Sequence, residues 1–245
     1  MASSTPEHGD RLSPIDSAST STGDALRRAA DVMAAVRARC VWSARITHED
    51  LVPYLVEEAA ELIDAVEAGT RADLREELGD LLWQVLFHAA VTADATEDPF
   101  DIDDVADALA EKMIRRHPHV FGDAVATTPE EVLVHWNAAK TAEKRDRRSV
   151  LDGVSAHMPS LALAQKLLGR AAALPLSSSR TPGGQDRTPV GAQSEEELGE
   201  ALLGLVSLAQ ERGWDAERAL RVRIRGLEDE VRAVEASSAS DDLEE

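Results

Sequence analysis

Four acidic residues recur in pairs at a spacing that could hold a metal ion. Glu58 and Glu61 lie three residues apart, and Glu77 and Asp80 repeat that spacing further along the chain. Residues three apart share one face of a helix, with Cβ atoms about 5–6 Å from each other. If two such helices pack together, each pair of carboxylates ~4 Å apart costs on the order of 4 kcal/mol at an effective dielectric of 20. A bound cation would remove that repulsion.

The donor set indicates which cation this would be. Oxygen ligands without cysteine suit a hard divalent ion, so Mg²⁺ is expected, with Mn²⁺ as an alternative. A single E-x-x-E pair is usually no more than a solvated helix face, and two pairs on adjacent helices weaken that interpretation without removing it. Glu57, one turn before Glu61, either supports the cluster or is simply exposed.

The elements that would position these acids are two helices joined by a short turn. Thr47 is a plausible cap for a helix that runs through Ala68, and Gly69 and Thr70 end it. The next helix begins near Ala72 and continues into an apolar run, so neighbours should bury it on several sides. Because the turn is short, the two helices should pack antiparallel and bring both acidic pairs together.

Composition favours helices packed on helices throughout. The 245 residues are 43% hydrophobic but only 3% aromatic, so burial rests mainly on Leu, Ala and Val. Helical patterns recur at 24–39, at 102–116, before the turn made by His117, Pro118 and His119, and from Pro129 onward. The sequence therefore predicts an all-α fold.

Charge and cysteine content exclude several classes of protein. The net charge of -20 argues against a nucleic acid partner, since phosphate binding needs Lys and Arg in excess. Cys40 is the single cysteine, which excludes an intrachain disulfide and favours the reducing cytoplasm. No segment has the pattern of a signal peptide or a membrane span, so we expect neither secretion nor a membrane anchor.

The chain is predicted to have five parts. Residues 1–23 are a disordered leader rich in Ser, Thr, Pro and Asp, and residues 173–194 are a Ser/Pro/Gly-rich linker. A catalytic domain at 24–172 lies between them. Glu197 to Leu203 echoes Glu77 to Trp83, so 195–236 is interpreted as a degenerate partial repeat, followed by an acidic tail at 237–245.

The order E-E-x-x-E, turn, E-x-x-D resembles the signature of the MazG-type nucleoside triphosphate pyrophosphohydrolases, an all-α family that uses Mg²⁺. Longer stretches look similar too, and together they span about residues 26–170: Leu51 to Leu55, Leu74 to Leu82, Phe100 to Val105 and Glu111 to Phe121. The resemblance implies a helical bundle of the all-α NTP pyrophosphatase type, completed by dimerisation into a homodimer or a higher homo-oligomer.

The same resemblance implies the site and the reaction. Glu58, Glu61, Glu77 and Asp80 would be the metal ligands, with Glu61 or Glu57 as the base that activates water. The nucleotide would be bound by Lys112, Arg116, Trp136 and Lys140. The two cations on one helix could clamp phosphate, and the indole could stack on a base. The implied reaction is Mg²⁺-dependent hydrolysis of nucleoside triphosphates to monophosphate and pyrophosphate, in a house-cleaning role on non-canonical or excess nucleotides.

One loop departs from the family pattern and leaves two alternatives. The family's C-P-W-D-x-x-Q-T-H is here Cys40 to His48, with Ser43 and Ile46 in place of the aspartate and the glutamine. The change leaves the metal carboxylates intact but affects the part of the chain where base selectivity could reside. The alternatives are a non-catalytic nucleotide-binding or scaffold module, and a pyrophosphatase restricted to dUTP or dCTP. His88 is expected to be a core residue rather than a ligand.

Overall fold

A computed structural model describes residues 22–143, 149–172 and 192–241. Within these ranges all regular structure is helical and no strand occurs, which confirms the all-α prediction. Residues 1–21 of the predicted leader, most of the predicted linker and residues 242–245 lie outside the described part. The five predicted segments therefore stay a prediction. In the described ranges no helix has both the length and the apolar character needed to cross a membrane.

The chain divides into two compact units, one ending at Thr141 and the other starting at Ala142. The helices of the first unit are α1 (Thr22–Arg39), α2 (His48–Glu67), α3 (Arg71–Ala93), α4 (Ile102–Arg116), α5 (Pro118–Phe121) and α6 (Pro129–Ala142), with a 3₁₀ turn at Ser43–Arg45. The helices of the second unit are α7 (Ser160–Ala171), α8 (Glu195–Glu211) and α9 (Ala216–Asp241).

Three helices of the first unit begin with the same local device. The Thr47 hydroxyl accepts from the backbone N–H of Asp50, whose carboxylate accepts from the backbone N–H of Thr47. Thr70 and Asp73 start α3 in this way, and an aspartate pair, Asp101 with Asp104, starts α4. Each capping box satisfies two backbone donors that the helix itself cannot pair. The starts of α2, α3 and α4 are thus fixed by residues within one turn.

A small apolar core joins the first three helices. Met33 of α1, Leu51 of α2, and Leu86 and Phe87 of α3 are almost completely buried and form one cluster. Ile46, in the loop before α2, is among the half-buried residues that pack against it. The cluster holds α1 and α2 against α3, the helix that carries Glu77 and Asp80.

The turn between α2 and α3 requires a glycine. A Cβ atom at Gly69 would lie 2.7 Å from the Cα of Ala65 and 2.9 Å from its carbonyl oxygen. Real Cβ atoms do not approach backbone that closely, so any larger residue would force the end of α2 to move. Gly69 therefore permits the tight turn that brings the two acidic helices together.

The structure adds an element after α4 that the sequence analysis did not predict. α4 ends at Arg116, as expected, but Pro118 to Phe121 form one further helical turn rather than an irregular turn. Proline is compatible with the first position of a helix, where its missing N–H has no intrahelical partner to lose. The short α5 places His117 and His119 between α4 and α6.

Candidate metal centre

Three carboxylates meet between α2 and α3. Glu58, Glu77 and Asp80 each offer one oxygen, and these oxygens all lie within 4.8 Å of one another. Glu77 and Asp80 are three residues apart on α3, and Glu58 comes from α2. Glu58 and Glu77 are half-buried, whereas Asp80 is exposed. The group is therefore accessible to solvent at Asp80.

The electrostatics of this group favour a positive partner. Burial, and after it the charges of Asp80 and Glu61, raise the pKa of Glu58. Burial, and after it the charges of Glu61 and Asp80, raise the pKa of Glu77 as well. In both cases desolvation and like charge disfavour the ionised form. A cation between the carboxylates would reverse both effects.

The residues present fit a divalent cation. The Glu77 Oε2 atom is buried and has no hydrogen-bond partner among the described residues. A carboxylate oxygen buried without a donor is costly, because it has given up its hydration without replacement. An oxygen-only donor set suits Mg²⁺ or Mn²⁺ better than a softer metal. The unpartnered oxygen therefore marks Glu77 as a residue that could coordinate such an ion.

Glu61 and Glu57 lie outside the close group. Both side chains are exposed. The charge of Glu61 nevertheless acts on Glu58 and on Glu77, and the charge of Glu57 acts on Glu58. Of the four ligands implied by the family resemblance, three are thus close together and the fourth, Glu61, lies beside them. The roles of Glu61 and Glu57 stay predictions.

On the predicted nucleotide side, the structure brings Arg116 and Trp136 together. The guanidinium carbon lies over the indole, 5.0 Å from the ring centre, and the His117 ring meets the same indole edge-on at 5.2 Å. The arginine covers one face, so a base could stack only on the other face or after the arginine moves. Lys112 and Lys140 are half-buried, one helical turn before Arg116 and after Trp136, respectively.

Sequence reasoning missed two polar features beside the acids. Gln84 is only 4% exposed, and its side chain partly offsets the burial and like charge that raise the pKa of Glu58. His88, expected to be a core residue, contacts His48 of α2 through their Nδ1 atoms at 2.8 Å. The available signal was the occurrence of Gln84 and His88 one turn apart in an otherwise apolar run that follows Asp80.

The loop that departs from the family pattern is held through its backbone. Arg37 of α1 donates from Nη1 to the carbonyl oxygens of Ser43 and Ile46, the latter at 2.9 Å, and from Nε to Asp94 at 2.8 Å. Within this loop, Trp42 packs edge-to-face against Tyr54 of α2, with ring centres 6.2 Å apart. The substituted side chains at positions 43 and 46 are therefore not the groups that Arg37 binds.

The helices and the three convergent carboxylates define an all-α protein with a candidate site for a divalent cation. Residues 46–121 match the model of the MazG nucleotide pyrophosphohydrolase domain. The chain is 39% identical to a nucleoside triphosphate pyrophosphohydrolase of Mycolicibacterium smegmatis, in a match covering 95% of this chain and 78% of that protein. The chain belongs to the MazG nucleotide pyrophosphohydrolase family, whose members are hydrolases of phosphoric anhydrides.

Two further proteins are similar to this chain. A Streptomyces cacaoi protein described as an uncharacterised 26.1 kDa protein in the blaB 3' region is 46% identical, over 84% of this chain and 80% of that protein. A crystal structure of a MazG-related protein from Thermotoga maritima is 26% identical, with a TM-score of 0.42, and covers 47% of this chain and 98% of that one.

Proposed function

We propose that this protein hydrolyses nucleoside triphosphates to a nucleoside monophosphate and pyrophosphate in a Mg²⁺-dependent reaction. The observation that carries the proposal is the group of three carboxylates within 4.8 Å, one of them with a buried, unpartnered oxygen. The name of the M. smegmatis relative, a nucleoside triphosphate pyrophosphohydrolase, supports the same activity. The chemistry of the site supports the metal, and the name of that relative supports the substrate class.

In this proposal, Glu58, Glu77 and Asp80 hold the ion, with Glu61 as a further ligand. Mg²⁺, or Mn²⁺ in its place, supplies Lewis acidity toward phosphoryl oxygens when bound. The protein contributes the placement of the ligands, because both acidic helices are fixed by the turn at Gly69 and by the core around Phe87.

The cationic side chains of α4 and α6 bind the triphosphate. Arg116 presents a planar guanidinium that can pair with two phosphate oxygens, and Lys112 and Lys140 add positive charge one turn away on each helix. Charge develops on the pyrophosphate leaving group as the anhydride bond breaks, and these groups stabilise it. Trp136 acts through the guanidinium that lies over its ring.

A carboxylate accepts the proton of the attacking water. Glu61 is the first candidate. After burial, its charge is among the causes that raise the pKa of Glu58 and of Glu77, yet it lies outside the close group of three. Glu57 is the second. The water oxygen bonds to phosphorus, the anhydride bond between the α and β phosphates breaks, and the proton passes to the carboxylate.

We also propose that copies of the chain associate. One side of α2 carries apolar side chains at a recurrent helical spacing, each between about two-fifths and two-thirds exposed: Val52, Val56, Ile63 and Val66. Such a stripe is typical of helices that pack against a partner. The proposed assembly is a homodimer or a higher homo-oligomer in the cytoplasm. Its proposed role is house-cleaning of non-canonical or excess nucleotides.

The deciding experiment measures pyrophosphate release from a panel of canonical and oxidised nucleoside triphosphates, with Mg²⁺ and with excess chelator. The proposal expects release that depends on the metal and extends to several nucleotides. Release from dUTP or dCTP alone would favour the restricted pyrophosphatase. Nucleotide binding without any release would favour the non-catalytic module and contradict the proposal.

A further inference from the structure

The second unit has very little apolar core. Among its described residues, the buried apolar side chains are Val206 and Ala209, both on α8. A unit with so little core needs another source of stability, such as a disulfide, a metal or association. The single cysteine and the candidate metal centre both lie in the first unit, so association is the source open to the second.

The last helix, α9, packs on its own unit through charged residues. Glu217, Arg221 and Arg225 are spaced four residues apart and are half-buried. The Glu217 carboxylate accepts from the backbone N–H of Ala162 in α7 at 3.4 Å, and it pairs with Arg221 at 3.9 Å. The side of α9 that its own unit covers therefore carries charge.

Four aliphatic side chains of α9 lie in another row and stay exposed. Leu220, Ile224, Leu227 and Val231 follow one another at intervals of four, three and four residues, and each is 46–52% exposed. This spacing gives a straight apolar stripe along a helix, and it is the pattern by which two helices pack on each other. We call these four residues the α9 stripe.

The charges along α9 indicate what covers the α9 stripe. Residues 216–225 contain four arginines and one glutamate, and residues 226–235 contain four acids and one arginine. The two halves thus carry net charges of +3 and -3, in a chain whose net charge is -20. This order is the reverse of the one that the helix dipole favours, so the stability of the single helix does not account for it.

A second α9 running in the opposite direction complements this pattern. The arginine half of each helix then faces the acidic half of the other, whereas a parallel pair would set like charges side by side. A two-fold axis near position 225 sets Leu220 of one copy against Val231 of the other. Ile224 likewise meets Leu227. The stripe is therefore complementary to itself, as a two-fold interface requires.

Arg223 and Glu230 flank the α9 stripe on one side. Within one copy they pair at 3.3 Å, and both side chains are 63% exposed. An exposed pair of this kind contributes little to stability, so an exchange of partners between two copies costs little. In the antiparallel pair, Arg223 of each copy faces Glu230 of the other.

We propose that the α9 stripe is an interface between two copies of this chain, which pair antiparallel with the arginine half of each α9 against the acidic half of the other. This contact is separate from the association through α2, and it does not depend on the proposed reaction. With both contacts the protein forms a higher oligomer, and with α9 alone it forms a dimer.

The test measures the molar mass of the full chain by sedimentation equilibrium for the wild type, for Arg223→Glu, for Glu230→Arg and for an equimolar mixture of the two variants. Each variant alone sets like charges against each other twice in the interface, so we expect association through α9 to weaken about tenfold or more. In the mixture, opposite charges face each other again at both places. The wild-type mass should therefore return, which a change confined to one copy could not produce.

Leu227→Gln tests the apolar contact, and Val222→Gln is its matched control. Both side chains are 52% exposed on α9, but Val222 lies about half a turn away from the α9 stripe. Leu227→Gln should lower the molar mass as the charge variants do, and Val222→Gln should keep the wild-type mass.

The comparison with the wild type isolates α9, because any contact through α2 is present in every variant. A monomeric wild type would overturn the interface, and so would a mixture of the charge variants no heavier than its components. Wild-type mass in Leu227→Gln would overturn it as well, since the apolar contact would then be made elsewhere.

Discussion

The guanidinium of Arg116 lies over the face of the Trp136 indole, 5.0 Å from the ring centre. The contact joins the end of α4 to the middle of α6, and the ring of His117 packs against the same indole. A guanidinium held in this way loses less conformational freedom when it binds phosphate. Trp136 therefore affects the proposed triphosphate site even if no base stacks on it.

Replacing Trp136 with leucine should weaken substrate binding. A cation–π contact contributes about 0.5–2 kcal/mol, so we expect KM for the triphosphate to rise roughly 2- to 30-fold, with a smaller change in kcat. Steady-state kinetics of pyrophosphate release measure both. Trp214→Leu is the matched control, because Arg212 lies over Trp214 at 5.1 Å in the second unit. Equal kinetic constants in the two variants would contradict the role given to Trp136.

Removing one charge from the acidic cluster should separate metal binding from folding. In Glu77→Gln or Asp80→Asn, a like-charge repulsion disappears, so the metal-free Tm should stay the same or rise. A ligand at 100 times its Kd stabilises a protein by about 2.7 kcal/mol, and that Mg²⁺-induced rise in Tm should be lost together with turnover. Thermal melts with and without Mg²⁺ measure this. Glu76→Gln, an exposed neighbour on α3, should behave as the wild type.

The capping aspartates should make the free energy of unfolding fall in acid. The backbone N–H of Thr47 and then its hydroxyl lower the pKa of Asp50 below its ordinary 3.8, and Thr70 does the same for Asp73. A lowered folded-state pKa stabilises the protein above the unfolded value, and this stability is lost as pH falls through the folded value.

Urea midpoints across this acid range should therefore fall less steeply in Asp50→Asn/Asp73→Asn than in the wild type. The difference between the two proteins isolates the caps from the other acids, which titrate in both. Parallel pH profiles would show that the caps do not contribute.

Three glycine-to-alanine changes should differ in sign. Gly69→Ala places a Cβ atom against the backbone of Ala65, and forced contacts of this kind cost about 1–3 kcal/mol. At Gly79 and Gly199 an added Cβ has no atom within 4 Å, so alanine should stabilise the helix by about 0.5–1 kcal/mol. Chemical denaturation measures all three. Destabilisation by Gly79→Ala would show that the space beside Asp80 is not free.

The sequence analysis located helices best where local chemistry determines them. The starts of α2 and α4 follow from capping residues within one turn, and the i, i+3 spacing placed Glu77 and Asp80 on one face. The exposure of Glu61 could not be predicted, because a side chain's position depends on how two helices pack. Gln84 was missed for a related reason, since an uncharged residue in an apolar run gives no signal until its burial among the packed helices is known.

The short turn at Gly69 has a kinetic consequence for the acidic helices. Contacts between α2 and α3 are close in sequence and both helices carry their own capping boxes, so this hairpin should form early on the folding pathway. Its acids then repel one another before the remaining helices have docked. We therefore expect ionic strength and divalent cations to raise the folding rate more than they would in a chain of the same topology without these acids. The charges that serve the folded protein slow its formation.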